Sequence, residues 1–180
     1  MKIYLWGKMS KFLIISDIKS YKDNENSINE VQISPTVMIA KHAVVDYKAQ
    51  SKKQALREAS NIAEKEYGLS SKVCFESLLE REKLGSTGLG NGIAIPHGKF
   101  EDINKLYAVF LRLNKPINYE AVDGMPVDLV FTLLAPSNQN STNLKALSHV
   151  TRFLGETEVR NRIRGASSID AIIALLTEAK

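Results

Sequence analysis

Two long apolar segments constrain the fold of this chain most. Leu106–Leu113 (LYAVFLRL) and Val127–Ala135 (VDLVFTLLA) are apolar on both faces over most of their lengths. This pattern is typical of strands that helices cover on two sides. Asp123, Gly124 and Pro126 lie between the segments and supply turn residues. The sequence therefore predicts a sheet buried between two helical layers.

Two helices are predicted before these strands. Ser51 opens a capping-box pattern, and the apolar stripe that follows it ends at Gly68. A second helix follows Ser70 or Ser71 and ends at Gly85. The residues expected on its buried face are Val73, Cys74, Leu78 and Leu79.

The remaining elements complete the predicted architecture. Three helices are expected near the C-terminus, over Ser141–Leu154, about Glu156–Arg164, and Ser168–Ala179. A strand is predicted over Val37–Tyr47, which is rich in β-branched residues, and a shorter one over Ile93–Ile95. Together these elements predict an α/β fold, a three-layer α/β/α sandwich with a central mixed β-sheet.

The first 30 residues differ from the rest of the chain. Residues 17–30 (DIKSYKDNENSINE) are polar and aperiodic, so residues 1–30 are predicted to be an N-terminal extension with little order of its own. Residues 31–180 have the length and apolar content of one domain with one core.

Cysteine and histidine usage argues against disulfide and metal chemistry. Cys74 is the single cysteine and the chain has three histidines, so neither an intramolecular disulfide nor a zinc-ligand spacing is present in the sequence. Cys74 falls among predicted core positions and is interpreted as a small hydrophobic residue. We expect a reducing, cytoplasmic setting and neither a metal nor an organic cofactor.

The charge pattern does not indicate nucleic acid or membrane binding. The net charge is +4, but the basic residues are spread along the chain, and we interpret Lys52, Arg160, Arg162 and Arg164 as solvated helix surface. No apolar run approaches the roughly 20 residues that a membrane-spanning helix needs. The sequence therefore predicts no nucleic-acid partner and no membrane insertion.

The stretch Gly85–Lys99 (GSTGLGNGIAIPHGK) is the strongest candidate for chemistry. Its closely spaced glycines leave a backbone whose N–H groups can converge on an anion. Hydroxyl groups at Ser86 and Thr87 could add donors. The candidate phosphate-binding residues of this loop are Ser86, Thr87, Gly88, Gly90 and Gly92. The loop fits neither the P-loop pattern nor the dinucleotide fingerprint.

His97 follows this loop and is the candidate nucleophile. A neutral imidazole nitrogen can attack phosphorus, and the ordinary histidine pKa leaves much of the ring neutral near pH 7. Arg81 could bind two phosphoryl oxygens at once, with Lys83 and Lys99 as supporting cations. From the residues alone, an anion site and an ordinary glycine-rich connection fit equally well.

Residues 80–99, EREKLGSTGLGNGIAIPHGK, resemble the active-site motif of the IIA domains of the phosphoenolpyruvate-dependent phosphotransferase system. The similarity lies with the fructose and mannitol group, and is strongest to the nitrogen-regulatory IIA proteins. It extends from about Ile33 to the C-terminal helix and implies a three-layer α/β/α domain over residues 31–180. By this resemblance His97 matches the phosphorylated histidine, Arg81 the phosphoryl-binding arginine, and Ser86 and Thr87 the loop residues beside it.

One position departs from the family pattern. Many relatives carry a second histidine where this sequence has Asn143, so a role that needs a second titratable imidazole does not carry over. His149 does not replace it, because a helix that buries Leu144, Leu147 and Val150 turns His149 toward solvent. His42 lies in an apolar stretch and is interpreted as a structural histidine.

The resemblance implies a phosphoryl carrier and regulator of the nitrogen-type phosphotransferase system. His97 would accept a phosphoryl group from a histidine phosphocarrier protein, and the phosphorylation state would control target proteins. The chain would then be a phosphotransferase component, not a hydrolase. Two alternatives remain open: a IIA protein that serves a separate fructose or mannitol permease, and an interaction module that works without phosphorylation.

Overall fold

Seven strands form one mixed sheet in the computed structural model, which describes residues 30–34 and 37–177. The strands are β1 (Glu30–Ser34), β2 (Val37–Tyr47), β3 (Gly88–Gly90), β4 (Ile93–Ala94), β5 (His97–Phe100), β6 (Leu106–Ile117) and β7 (Val127–Pro136). The predicted extension, residues 1–30, lies outside the described residues except for Glu30.

Five helices accompany the described sheet. They are α1 (Lys52–Tyr67), α2 (Ser71–Lys83), α3 (Asn140–Gly155), α4 (Thr157–Gly165) and α5 (Ile169–Thr177). In α1 the Ser51 hydroxyl accepts from the Gln54 N–H at 3.3 Å, and Gly68 ends the helix in the left-handed conformation at φ 71°, as its capping residues predict. The predicted three-layer α/β/α sandwich with a mixed sheet is confirmed.

The centre of the sheet consists of the two apolar segments that constrain the fold. β6 pairs antiparallel with β7 and parallel with β2, and nearly every β7 side chain is buried. β3 and β5 were not predicted as strands. Both are too short to show a periodicity in the sequence.

β4 and β5 follow each other along the same side of β7. Ile93 is in register with Leu129, and His97 is in register with Leu133. Pro96 lies between the two strands and has no N–H group to donate, so the ladder is interrupted there. His97 is therefore the first residue of a strand that resumes directly after a break.

Three expectations about burial are wrong. Val73 on α2 is 55% exposed and Leu144 on α3 is 66% exposed, whereas Phe75 is buried in the place expected for Val73. Cys74 and Leu78 on α2 are buried, as predicted. Arg160 is 5% exposed and is not solvated helix surface, because its guanidinium donates to the Leu154 carbonyl at 2.9 Å.

Within residues 30–34 and 37–177, no helix combines the length and apolarity that crossing a membrane requires.

Candidate functional site

Helix α2 packs closely on strand β5, and this contact brings Arg81 to His97. A Cβ atom on Gly98 would lie 2.7 Å from the Ser77 hydroxyl oxygen, so a larger residue there would have to displace Ser77. Ser77 and Arg81 are four residues apart and share one face of α2. The face that rests on Gly98 therefore also places Arg81 over the neighbouring His97.

Both ring nitrogens of His97 have hydrogen-bond partners. Nδ1 lies 2.9 Å from the Ile95 carbonyl oxygen, which can only accept, so Nδ1 carries the proton in a neutral ring. Nε2 lies 2.9 Å from Nε of Arg81, which can only donate, so Nε2 presents its lone pair. These two contacts together select one tautomer of the neutral imidazole.

The surroundings of His97 also favour the neutral ring. Burial lowers the pKa of His97 below its ordinary value, and the positive charge of Arg81 lowers it further, while the Ile95 carbonyl and Glu82 act in the opposite direction. The ring therefore stays unprotonated at neutral pH. A histidine whose Nε2 carries no proton is suited to attack an electrophilic phosphorus atom once the guanidinium beside it releases the lone pair.

The N–H and hydroxyl groups of Thr87 are both hydrogen-bonded within the protein. Its N–H group lies 3.1 Å from each Glu82 carboxylate oxygen, and its hydroxyl donates to the same carboxylate. The side chain of Thr87 is buried. In this structure Thr87 is therefore a hydrogen-bond partner of Glu82.

Gly88, Gly90 and Gly92 of the loop lie close to other groups of the protein. The Gly88 N–H group donates to the Ser86 hydroxyl at 3.2 Å. A Cβ atom on Gly90 would meet the Asp123 carboxylate, and one on Gly92 would meet Arg164 and Asp128. The structure thus places these glycines in a hairpin that packs closely against the rest of the protein.

Two surface depressions meet at His97 and contain the other predicted cations. One has a volume of about 690 Å³ and is lined by Arg81, Lys83 and Leu84 as well as His97. The other, of about 330 Å³, contains Lys99 and a largely apolar wall from β7 and α3. Lys99 also donates to the Asn140 side-chain oxygen at 2.7 Å. Cationic side chains thus flank the ring on both sides.

Asn143 lines the same depression as His97. Its Nδ2 group donates to the Pro136 carbonyl at 2.7 Å, whereas its Oδ1 atom is buried without a hydrogen-bond partner. Asn143, where the resemblance implies a second histidine in many relatives, therefore lines the depression that contains His97. His149 is not among the lining residues of this depression, and the side chain of His42 lies outside the described part of the chain.

Glu82 was not predicted as a functional residue, although its helical spacing from two apolar residues indicates a buried position. Cys74, Leu78 and Glu82 follow one another at intervals of four residues, and all three are buried on α2. A carboxylate at the third position of an apolar helical stripe must find partners inside the protein. Across the described ranges, no cluster of histidine, cysteine and carboxylate side chains is arranged to hold a metal ion.

The chain matches a known protein family over most of its length. Residues 37–179 match the family described as "Phosphoenolpyruvate-dependent sugar phosphotransferase system, EIIA 2". The chain is 49% identical over 131 residues to a protein of Klebsiella oxytoca named "Nitrogen regulatory protein", an alignment that covers 72% of this chain and 81% of that protein.

Solved structures support the same relationship. The nitrogen regulatory protein IIA-Ntr from Neisseria meningitidis is similar with a TM-score of 0.73 and 38% identity, covering 77% of this chain and 96% of the other. IIA mannitol from Escherichia coli is similar with a TM-score of 0.64 and 27% identity, covering 76% and 96%.

Proposed function

Since the chain belongs to the EIIA type 2 family of the phosphoenolpyruvate-dependent sugar phosphotransferase system, we propose that it is a phosphoryl carrier and regulator of the nitrogen-type system. His97 accepts a phosphoryl group from a histidine phosphocarrier protein, and the presence or absence of that group controls target proteins. The cytoplasm is the setting in which this phosphorylation would take place.

The observation that carries the proposal is the state of the His97 ring. Nε2 is free of a proton and lies 2.9 Å from the Arg81 guanidinium, while the Ile95 carbonyl holds Nδ1–H at 2.9 Å. The ring therefore needs to lose no proton before it attacks. Its orientation is fixed before a donor arrives, which lowers the entropic part of the barrier.

Transfer then proceeds as an in-line displacement at phosphorus. The Nε2 lone pair of His97 forms the new P–N bond as the P–N bond of the donor phosphohistidine breaks, and the electron pair of that bond returns to the donor imidazole. The proton stays on Nδ1 of His97, where its hydrogen bond to the Ile95 carbonyl is kept. Arg81 donates to the equatorial phosphoryl oxygens, and Lys83 and Lys99 add positive charge nearby.

Phosphorylation would change the surface that partners meet. A phosphoryl group adds nearly two negative charges at neutral pH, and it would arrive where Leu84 and Leu144 are strongly exposed. Neutralising Arg81 and the flanking lysines changes both the charge and the side-chain positions at this surface. The phosphorylated and free forms would thus select different target proteins.

The decisive experiment is phosphorylation of the purified chain by phosphoenolpyruvate, enzyme I and a histidine phosphocarrier protein, followed by intact mass spectrometry. We expect one phosphoryl group that is labile in acid and stable in alkali. His97→Ala should gain none, and His149→Ala, the matched histidine control, should gain as much as the wild type. A wild-type chain that gains none, or a His97→Ala chain that gains one, would rule the proposal out.

A second candidate, a IIA protein that serves a sugar permease, is favoured by the similarity to IIA mannitol. The two candidates differ in where the phosphoryl group goes next. A phosphorylated chain that passes its group rapidly to a fructose or mannitol IIB domain would support the permease candidate. A phosphorylated chain that keeps its group in the presence of those domains would support regulation.

A further inference from the structure

Glu82 has a carboxylate that is buried and fully engaged. The residue is 7% exposed, and its oxygens accept from the Thr87 N–H group at 3.1 Å and from the Thr87 hydroxyl. Lys52 from α1 forms an ion pair with it at 3.2 Å. A buried carboxylate is stable only when such partners are present, so Glu82 and Thr87 hold each other in place.

A continuous series of hydrogen bonds leads from Glu82 to His97. The Thr87 carbonyl, on the same residue whose N–H group binds Glu82, accepts from the Ile95 N–H at 3.0 Å. The Ile95 carbonyl in turn accepts from Nδ1 of His97 at 2.9 Å. The position of the Ile95 carbonyl, which sets the tautomer and the direction of the ring, therefore depends on Thr87 and through it on Glu82.

Neighbouring residues of α2 thus act on opposite sides of the imidazole. Arg81 contacts Nε2 directly, and Glu82 acts on Nδ1 through Thr87 and Ile95. We propose that Glu82 is a positioning residue for phosphoryl acceptance, which keeps Nδ1 of His97 protonated and Nε2 of His97 free of a proton. This inference rests on the proposed function, since it assigns Glu82 a part in phosphorylation of His97.

The substitution Glu82→Gln tests the need for a carboxylate. Glutamine has one acceptor oxygen where glutamate has two, and its NH₂ group would have to face the donors of Thr87 or Lys52. The Ile95 carbonyl should then lose its fixed position. A displaced nucleophile reacts more slowly, and we expect the initial rate of His97 phosphorylation to fall by about ten- to a hundredfold.

The second measurement is the tautomer of the His97 ring in the unphosphorylated protein. Nitrogen-15 NMR of the wild type should show His97 as the Nδ1–H tautomer, and Glu82→Gln should show a mixture with the Nε2–H tautomer. Glu76→Gln is the matched control, because Glu76 lies exposed on the same helix. It should keep the wild-type rate and tautomer.

The double variant Lys52→Met/Glu82→Gln provides a folded alternative if Glu82→Gln alone unfolds the chain. This double variant removes both charges of the pair. Its His97 should still be phosphorylated slowly and should still show a mixture of the two tautomers. A wild-type rate or a pure Nδ1–H signal in the folded variant overturns the positioning role. If the wild type itself is not phosphorylated, the proposed function fails, whereas the tautomer comparison still decides whether Glu82 positions the ring.

Discussion

The Nε–H group of Arg81 donates to Nε2 of His97 across 2.9 Å, so the guanidinium covers the atom that would attack phosphorus. Arg81 also donates from Nη1 to the Gly85 carbonyl at 3.0 Å, which keeps it near the ring. Phosphorus can reach Nε2 only if Arg81 releases that nitrogen. The released guanidinium is then next to the phosphoryl oxygens, where its fork geometry binds two of them.

Arg81→Lys should slow phosphorylation far more than it alters the fold. Lysine keeps one positive charge but lacks the planar fork that binds two oxygens and contacts the ring. We expect the rate of phosphoryl acceptance to fall by about a hundred- to a thousandfold, the usual effect of removing a donor from a developing anion. Initial rates from intact mass spectrometry measure this change.

Arg152→Lys, the same substitution at an exposed position of α3, is the control for Arg81→Lys. It should leave the phosphorylation rate unchanged. If Arg81→Lys accepts phosphate as fast as Arg152→Lys does, the guanidinium has no part in transfer.

As the pH falls, the His97 ring should become protonated only at a lower pH than an ordinary histidine. Burial first, and the charge of Arg81 second, lower the pKa of the ring, so the reactive neutral form persists as the pH falls below about 6.5. The rate of phosphoryl acceptance should therefore stay level through that pH and decline only at lower values. NMR titration of the His97 ring should give a midpoint on the acid side of 6.5.

Arg81→Met tests the cause of this lowered midpoint. Removing the guanidinium charge should raise the pKa of His97 relative to the wild type, while burial keeps it below the ordinary value. A wild-type midpoint at or above the ordinary value would contradict the neutral ring described here. An unchanged midpoint in Arg81→Met would assign the whole shift to burial.

The sequence predicted the sheet and the helices because their patterns are local. The apolar runs of β6 and β7, and the caps at Ser51 and Gly68, depend on neighbouring residues alone. The pairing of β5 with β7 joins residues far apart in the chain, and β3, which pairs with the neighbouring β4, has only three residues. No periodicity in so few residues could predict them.

The candidate site was predictable in part, and for two different reasons. The imidazole of His97 follows from residue chemistry, but its pairing with Arg81, sixteen positions earlier, followed from the family resemblance. Glu82 and Thr87 were not paired in the prediction, because their contact depends on how the hairpin folds back onto α2. The loop glycines predict an anion cradle, and the structure adds that Gly90 and Gly92 pack closely against Asp123 and Asp128, which no local pattern indicated.

Arg160→Met should destabilise the protein without altering phosphorylation. Arg160 is 5% exposed and donates to the Leu154 carbonyl and the Thr157 hydroxyl, each at 2.9 Å. These groups lie where α3 ends and α4 begins. We expect the free energy of unfolding to fall by about 1–3 kcal/mol, since a buried carbonyl loses its donor. Urea denaturation measures this, and Arg152→Met, at an exposed site, should change it little.

Asn143→Asp should slow phosphorylation, and Asn143→His should not. Asn143 lines the His97 depression and donates to the Pro136 carbonyl. Aspartate loses that donor and repels the incoming phosphoryl group by about 1–2 kcal/mol, or about tenfold in rate, whereas histidine keeps an N–H group. Asn118→Asp is the control: it adds the same charge at an exposed site, and its carboxylate can still accept from the Glu120 N–H group. It should be phosphorylated at the wild-type rate. Equal rates for both aspartate variants would place Asn143 outside the reacting region.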